Sequence, residues 1–312
     1  MFINQAYKGD NNWLRVLTTT LLTTGIFIAN FIMFFLMSKE QMDEAYKKMG
    51  DINGIKSLII NLSPFIFLLA LLFFLVRFLH KRSILSLTTS RNKVDYKRIF
   101  FSFGLIVCFT ILGFAVSYSF DNSQIIWNFN PLRFTILFII SFAMFPFQIG
   151  FEEYLFRGFL MQQIGIAVKN RWFPLLFTSV VFGLFHSANP EVYKMGFGVM
   201  AFYIGTGFLL GIMTLMDESL ELALGFHLGN NLMAALLITS NFSAIQTDAI
   251  FKYSGIENSN DILNEMIVSI LIVYPIILFI FAKKYNWTNW SRKLSGKIDT
   301  LDTTTNLNVN TI

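Results

Sequence analysis

The sequence predicts an all-α fold, a polytopic transmembrane helical bundle of about eight spans, and three observations carry that expectation. Hydrophobic residues make up 54% of the 312 and charged residues 14%, where an ordinary globular chain is roughly a quarter charged. The few charges are unevenly spread. Cutting the chain at Asp, Glu, Lys and Arg leaves long uncharged runs at 16–38, 57–76, 99–120, 134–151, 172–190, 195–216, 222–247 and 266–282. Crossing the hydrocarbon core takes about 20 apolar residues in a helix. Stretches such as 65–75 are apolar on every face, whereas a transmembrane barrel would alternate in segments of about ten residues.

The runs are justified in order along the chain. The first lacks a small-residue cleavage site before the polar stretch from Lys39 and reads as an uncleaved signal anchor. Runs one to three hold no acidic or basic side chain and read as packing or lipid-facing helices, with the lone Cys108 as a small apolar filler in the third. The loop between the second and third carries Arg77, Lys81, Arg82, Arg91, Lys93, Lys97 and Arg98, expected beside anionic headgroups, and His80, expected to be solvated. With eight spans, 17 of the 24 Lys and Arg fall on the side that holds both termini, so the positive-inside rule puts both termini in the cytoplasm. The basic balance is thereby accounted for, and no folded module for nucleic acid accompanies it. In the sixth run Gly207 and Gly211 have the spacing that lets helix backbones approach closely. The chain divides into N-terminal helices with the basic loop (1–129), a core rich in intramembrane polar groups (130–240), a last helix with its flanks (241–298) and a polar tail (299–312) expected to be disordered.

Ionisable groups inside a bilayer are costly and usually mark function. Three clusters stand out. In Glu152-Glu153-Tyr154-Leu155-Phe156-Arg157, Glu153 and Arg157 share a helical face and can pair, while Glu152 points about a third of a turn away. Phe182 and His186 share a face near the end of the fifth run, and His227 and Asn231 share one in the seventh. Spacing alone also allows the two glutamates to be interfacial acids, and a lone buried histidine is more often a hydrogen-bonded core residue than a catalyst. Two intramembrane imidazoles, a free carboxylate and an amide on three helices make that reading less comfortable. Between Arg133 and Lys169, 35 residues are interrupted only by Glu152, Glu153 and Arg157. Embedding about 145–165 sets Glu152 mid-span and puts Pro146 at a helix start or a kink.

These groups suggest water-driven peptide-bond hydrolysis. A buried carboxylate beside an imidazole can bind and deprotonate water. A second imidazole and a carboxamide can donate hydrogen bonds to the oxyanion formed at the attacked carbonyl. Glu152, His186 and His227 are alternatively candidate ligands for Zn²⁺, although no HExxH pattern occurs, and no GxSxG element supports serine catalysis.

Taken in order, Glu152 to Arg157 resembles an EExxxR motif, Phe182 to His186 an FxxxH and His227 to Asn231 an HxxxN. The set is similar to that of the CAAX-protease and bacteriocin-processing (CPBP, or Abi) family of intramembrane endopeptidases, over about a third of the chain. The resemblance implies Glu152 as activator of water, helped by His186. It implies Glu153 as a second acid held with Arg157, His227 and Asn231 as the oxyanion-stabilising pair, and Phe182 as packing. Members are often labelled metalloproteases, yet a glutamate–histidine mechanism requires no metal. The expected substrate is a membrane-associated peptide or a lipid-anchored, CAAX-like protein, and the expected location a bacterial inner membrane. Two other classes remain open: a non-enzymatic scaffold or bacteriocin-immunity protein, and a proton-coupled transporter with a Glu/His relay. No repeated halves of the kind many transporters show are present.

Overall fold

The computed structural model describes residues 1–50, 54–255 and 259–298. It is a helical bundle with few strands. Helix α1 spans Trp13–Leu36, α2 Lys39–Gly50, α3 Gly54–Phe74 and α4 Tyr96–Phe120. Helix α5 (Pro131–Glu153) runs through a widened π-helical segment, Tyr154–Leu160, into α6 (Met161–Val168). Then come α7 (Trp172–Leu184), α8 (Pro190–Met195), α9 (Val199–Asp217), α10 (Glu221–Leu236), α11 (Ser259–Val268) and α12 (Tyr274–Lys284). Three short strands, β1 (Ile125–Trp127), β2 (Ile238–Ser240) and β3 (Phe251–Tyr253), form a sheet of order β1-β3-β2, with β3 antiparallel to β1 and parallel to β2.

The helical bundle agrees with expectation, but the span count does not. Among the described residues six helical stretches are long and apolar enough to cross a membrane. The fifth and seventh runs form helices of only 13 and 16 residues, below the roughly 20 needed. The cause is local. The fifth run ends in Ser187-Ala188-Asn189-Pro190, where proline disfavours helix in the residue before it and Pro190 opens α8 instead. In the seventh, β-branched Ile238 and Thr239 leave α10 for β2. Neither break involves a charge, so charge-free runs do not reveal it. Irregular backbone at such depth is tolerated where it is enclosed by protein or lines a cavity.

Two glycine contacts set the helix spacing around the later site. A Cβ on Gly225 would lie 2.1 Å from the Ile99 carbonyl oxygen of α4, so α10 can seat against α4 only without a side chain there. A Cβ on Gly207 would lie 2.8 Å from the Ser179 carbonyl oxygen, which locks α9 onto α7 as the Gly207/Gly211 spacing suggests. Helix α4, expected to be a packing or lipid-facing helix, is thus a direct support of the helix that carries His227.

Pro146 lies inside α5, not at its start. The start is Pro131, with Asn130 Oδ1 accepting from the Arg133 amide at 3.1 Å.

The basic loop also departs from expectation. His80 is fully buried, bound through its ring nitrogens to Thr19 Oγ1 (2.9 Å) and the Asp10 carbonyl (2.8 Å) and packed on Phe159. Arg82 is buried and donates to Ser86 and Gln162. Arg91 spans Asp217 and Glu221 at 2.9 Å each, and Arg98 reaches Asp217. Arg82, Arg91 and Arg98 are thus taken by groups of the protein itself, while Arg77, Lys81, Lys93 and Lys97 are exposed. The expected tail, 299–312, lies outside the described residues.

Candidate active site

The site is assembled where α5 passes into its π-helical segment. A π turn carries one more residue than an α turn, so it rotates the side chains that follow it and is frequent at functional sites. Here it begins directly after Glu153 and contains Arg157. Both side chains are wholly buried, and Arg157 Nη1 donates to Glu153 Oε1 at 2.9 Å. Arg157 Nη2 donates to the Gly207 carbonyl at 3.1 Å, and the guanidinium lies 4.4 Å from the Phe182 ring centre. The close seating of α9 that Gly207 permits therefore also delivers a carbonyl to Arg157.

His227 projects from α10 between the two glutamates. Its Nδ1 is 2.8 Å from Glu153 Oε1 and its Nε2 is 3.5 Å from Glu152 Oε2. A carboxylate only accepts, so the Glu153 contact assigns the proton to Nδ1 and turns Nε2 toward Glu152. Glu152 is fixed on its other side, with Oε1 accepting from Gln148 Nε2 at 3.1 Å. Its Oε2 is buried and has no hydrogen-bond partner. Such an orphaned acceptor costs about 1–3 kcal/mol.

The structure places the other expected residues as follows. His186 lies two residues beyond the end of α7, which with 13 residues extends about 20 Å and so stops well short of the roughly 30 Å hydrocarbon core. Its Nδ1 donates to the Phe182 carbonyl at 2.7 Å, leaving Nε2 without a proton in the neutral ring. Asn231 Oδ1 accepts from Asn230 Nδ2 at 3.2 Å, which leaves the Asn231 amide protons for another acceptor. Glu152, His186, His227 and Asn231 all line one cavity of about 1750 Å³. Glu153 and Arg157 stand behind His227. The structure therefore brings Glu152, Glu153, Arg157 and His227 into one connected chain, and sets His186 and Asn231 at the same cavity without a bond to it. The partner of Glu152 is His227, not His186.

Three further residues were not singled out from sequence. Gln148 lies four residues before Glu152, so helical spacing could have found it. Asn230 adjoins Asn231. Tyr203 stacks on His186 with ring centres 4.5 Å apart, and nothing in its apolar run marks it.

The candidate zinc ligands Glu152, His186 and His227 do not form a ligand set. Both ring nitrogens of His227 face glutamates and His186 turns Nδ1 to a carbonyl. Among the described residues no three His, Cys, Asp or Glu side chains are grouped to hold a metal.

Comparison with known proteins supports the resemblance read from the motifs. Residues 131–233 match the family model described as Type II CAAX prenyl endopeptidase Rce1-like, a segment that contains the whole glutamate–histidine chain. The chain is also 33% identical over 172 residues to "Uncharacterized protein YyaK" of Bacillus subtilis (strain 168), which is 54% of this chain and 56% of that relative. The match thus spans little more than half of the relative's length. No solved structure matches the chain. The apolar helices and the family match together make this an integral membrane protein.

Proposed function

We propose that this protein is a CAAX-endopeptidase-type intramembrane protease that hydrolyses a peptide bond in a membrane-associated peptide or lipid-anchored, CAAX-like protein. The observation that carries the reading is Glu152 Oε2, a buried acceptor with no hydrogen-bond partner, 3.5 Å from an imidazole nitrogen in the lining of a large cavity. Those are the requirements of a general base that receives a proton from water.

The residues carry the reaction without a further group. Water enters beside Glu152 Oε2, with His186 Nε2 accepting its second hydrogen. Glu152 takes one proton as the water oxygen bonds to the scissile carbonyl carbon. The negative charge that moves onto the carbonyl oxygen is met by the Asn231 amide protons. Collapse of the intermediate breaks the C–N bond, and the leaving nitrogen takes the proton back from Glu152. His227 supports each state. The two glutamates carry one charge more than Arg157 can balance, and His227 Nε2 can share the proton that Glu152 gains and loses. In an enclosed site an unbalanced charge is expensive, so the relay through His227 to Glu153 and Arg157 keeps the cluster near neutrality throughout. The His227–Asn231 pair that the resemblance implies is thereby divided, with His227 serving the base and Asn231 the oxyanion.

Replacing Glu152 by Gln in purified protein, with a peptide that the wild type cleaves, tests the assignment. Loss of cleavage with unchanged folding is the expected result, and undiminished cleavage overturns it.

A further inference from the structure

His186 is held unusually tightly for a histidine at a helix end. Its Nδ1 donates to the Phe182 carbonyl. One face of its ring meets Phe182, with centres 4.7 Å apart at 46°, and Tyr203 stacks on it at 4.5 Å and 24°. Stacking of this kind restrains the ring beyond what burial alone does. Tyr203 is in turn anchored: its hydroxyl oxygen accepts from Asn189 Nδ2 at 3.0 Å.

Asn189 makes that bond against its local preference. It occupies the N-cap position of α8, where an asparagine side chain ordinarily accepts from the amides of the first helical turn. Here its side chain makes no capping bond and donates to Tyr203 instead. The Asn189 amide is thus turned to the tertiary contact and not to the first turn of α8. The approach of the two helices is also specific. A Cβ on Gly183 would lie 2.4 Å from Ile204 Cγ1, so only glycine lets α9 come close enough at this level for Tyr203 to reach the imidazole. Both His186 and Tyr203 line the cavity that Glu152 lines.

From this we propose that Tyr203, anchored by Asn189, is a positioning residue for His186. It holds the ring so that Nδ1 keeps its proton on the Phe182 carbonyl and Nε2 alone is presented to the cavity. The proposal rests on the hydrolytic reading for its consequence, since an acceptor aimed at water is useful to a water-activating site. The positioning itself is independent of turnover. Tyr203 touches no reacting atom.

The chain has three histidines, which makes a direct spectroscopic test practicable. Full-length protein with ¹⁵N-labelled imidazoles is reconstituted in detergent micelles, and His186 is assigned by the signal missing in His186→Gln. In the wild type His186 shows a single Nδ1–H tautomer. Tyr203→Leu, which fills the space without an aromatic face, is expected to give His186 a mixture of both tautomers while the His80 and His227 signals stay in place. Tyr203→Phe keeps the aromatic face but loses the hydroxyl that Asn189 anchors, and is expected to broaden the His186 signal without the tautomer mixture of Tyr203→Leu. Asn189→Ala, which frees the hydroxyl, is expected to broaden it. An unchanged His186 signal in Tyr203→Leu overturns the proposal. So does a displacement of all three histidines together in that variant, because it would show a general packing role. Failure of the hydrolytic reading appears elsewhere, as cleavage that survives Glu152→Gln, and leaves this spectrum unaffected.

Discussion

His227 Nδ1 lies 2.8 Å from Glu153 Oε1, the same oxygen that Arg157 reaches at 2.9 Å. One carboxylate oxygen therefore binds an imidazole from α10 and a guanidinium one turn along its own helix, all three nearly or wholly removed from solvent. Breaking a buried pair from one side leaves an uncompensated charge and costs about 3–5 kcal/mol. Glu153→Gln is expected to lower stability by that order and to abolish cleavage, as read by thermal unfolding and peptide hydrolysis on the same preparation. Glu152→Gln should abolish cleavage with far less effect on unfolding, because the amide can still hold Gln148. Equal destabilisation by the two substitutions would refute this division between a supporting and a reacting glutamate.

The seating of α10 on α4 makes a second, geometric prediction. Gly225→Ala puts a methyl group 2.1 Å from the Ile99 carbonyl oxygen, so the helices must separate. Overpacking of this kind costs about 1–3 kcal/mol, and the shift carries His227 away from Glu153. Gly113 in α4 faces open space, so Gly113→Ala should leave melting temperature and activity unchanged. If Gly225→Ala melts and cleaves like Gly113→Ala, the close contact is not what positions His227.

His80 supplies a pH dependence. Burial pushes its imidazole below the ordinary value, with the Asp10 carbonyl opposing more weakly. The unfolded chain therefore binds a proton more readily than the folded one. His80 contributes stability that is present above the ordinary histidine value near 6.5 and lost as pH falls from there through the lower folded value. Melting temperature should fall between pH 7.5 and 5 by more in wild type than in His80→Gln. Parallel falls in the two proteins would show that this imidazole does not titrate on unfolding.

The proposed reaction draws its base from Glu152 and uses no metal. Metal-depleted protein, verified by elemental analysis, is expected to cleave at the wild-type rate, and added Zn²⁺ should not increase it. Loss of activity on depletion with recovery on adding Zn²⁺ would contradict the relay as drawn.

How much of this was legible in the sequence depends on what each residue type betrays. Glu152, Glu153, Arg157, His186 and His227 stand out because charge and imidazole are rare in apolar runs. Helical spacing correctly pairs Glu153 with Arg157. Which histidine meets Glu152 was not legible, since that depends on how deeply the Gly225 contact seats α10. Tyr203 and Gln148 carry no charge and do not interrupt a run. The two short helices end at Leu184 and Leu236, inside their uncharged runs, and so the sequence reads as eight spans where six are long enough. The buried state of His80 and Arg82 was hidden for the opposite reason. A loop dense in cations looks solvated until Asp10, Gln162, Asp217 and Glu221 are brought to it by the fold.

The central claim is that Glu152 activates water for attack on a peptide bond. The most direct test is hydrolysis in H₂¹⁸O by the purified, reconstituted protein, with the new carboxyl terminus read by mass spectrometry. The account predicts one ¹⁸O per cleavage in wild type and no cleavage product above background in Glu152→Gln. Undiminished ¹⁸O-labelled product from folded Glu152→Gln would contradict it.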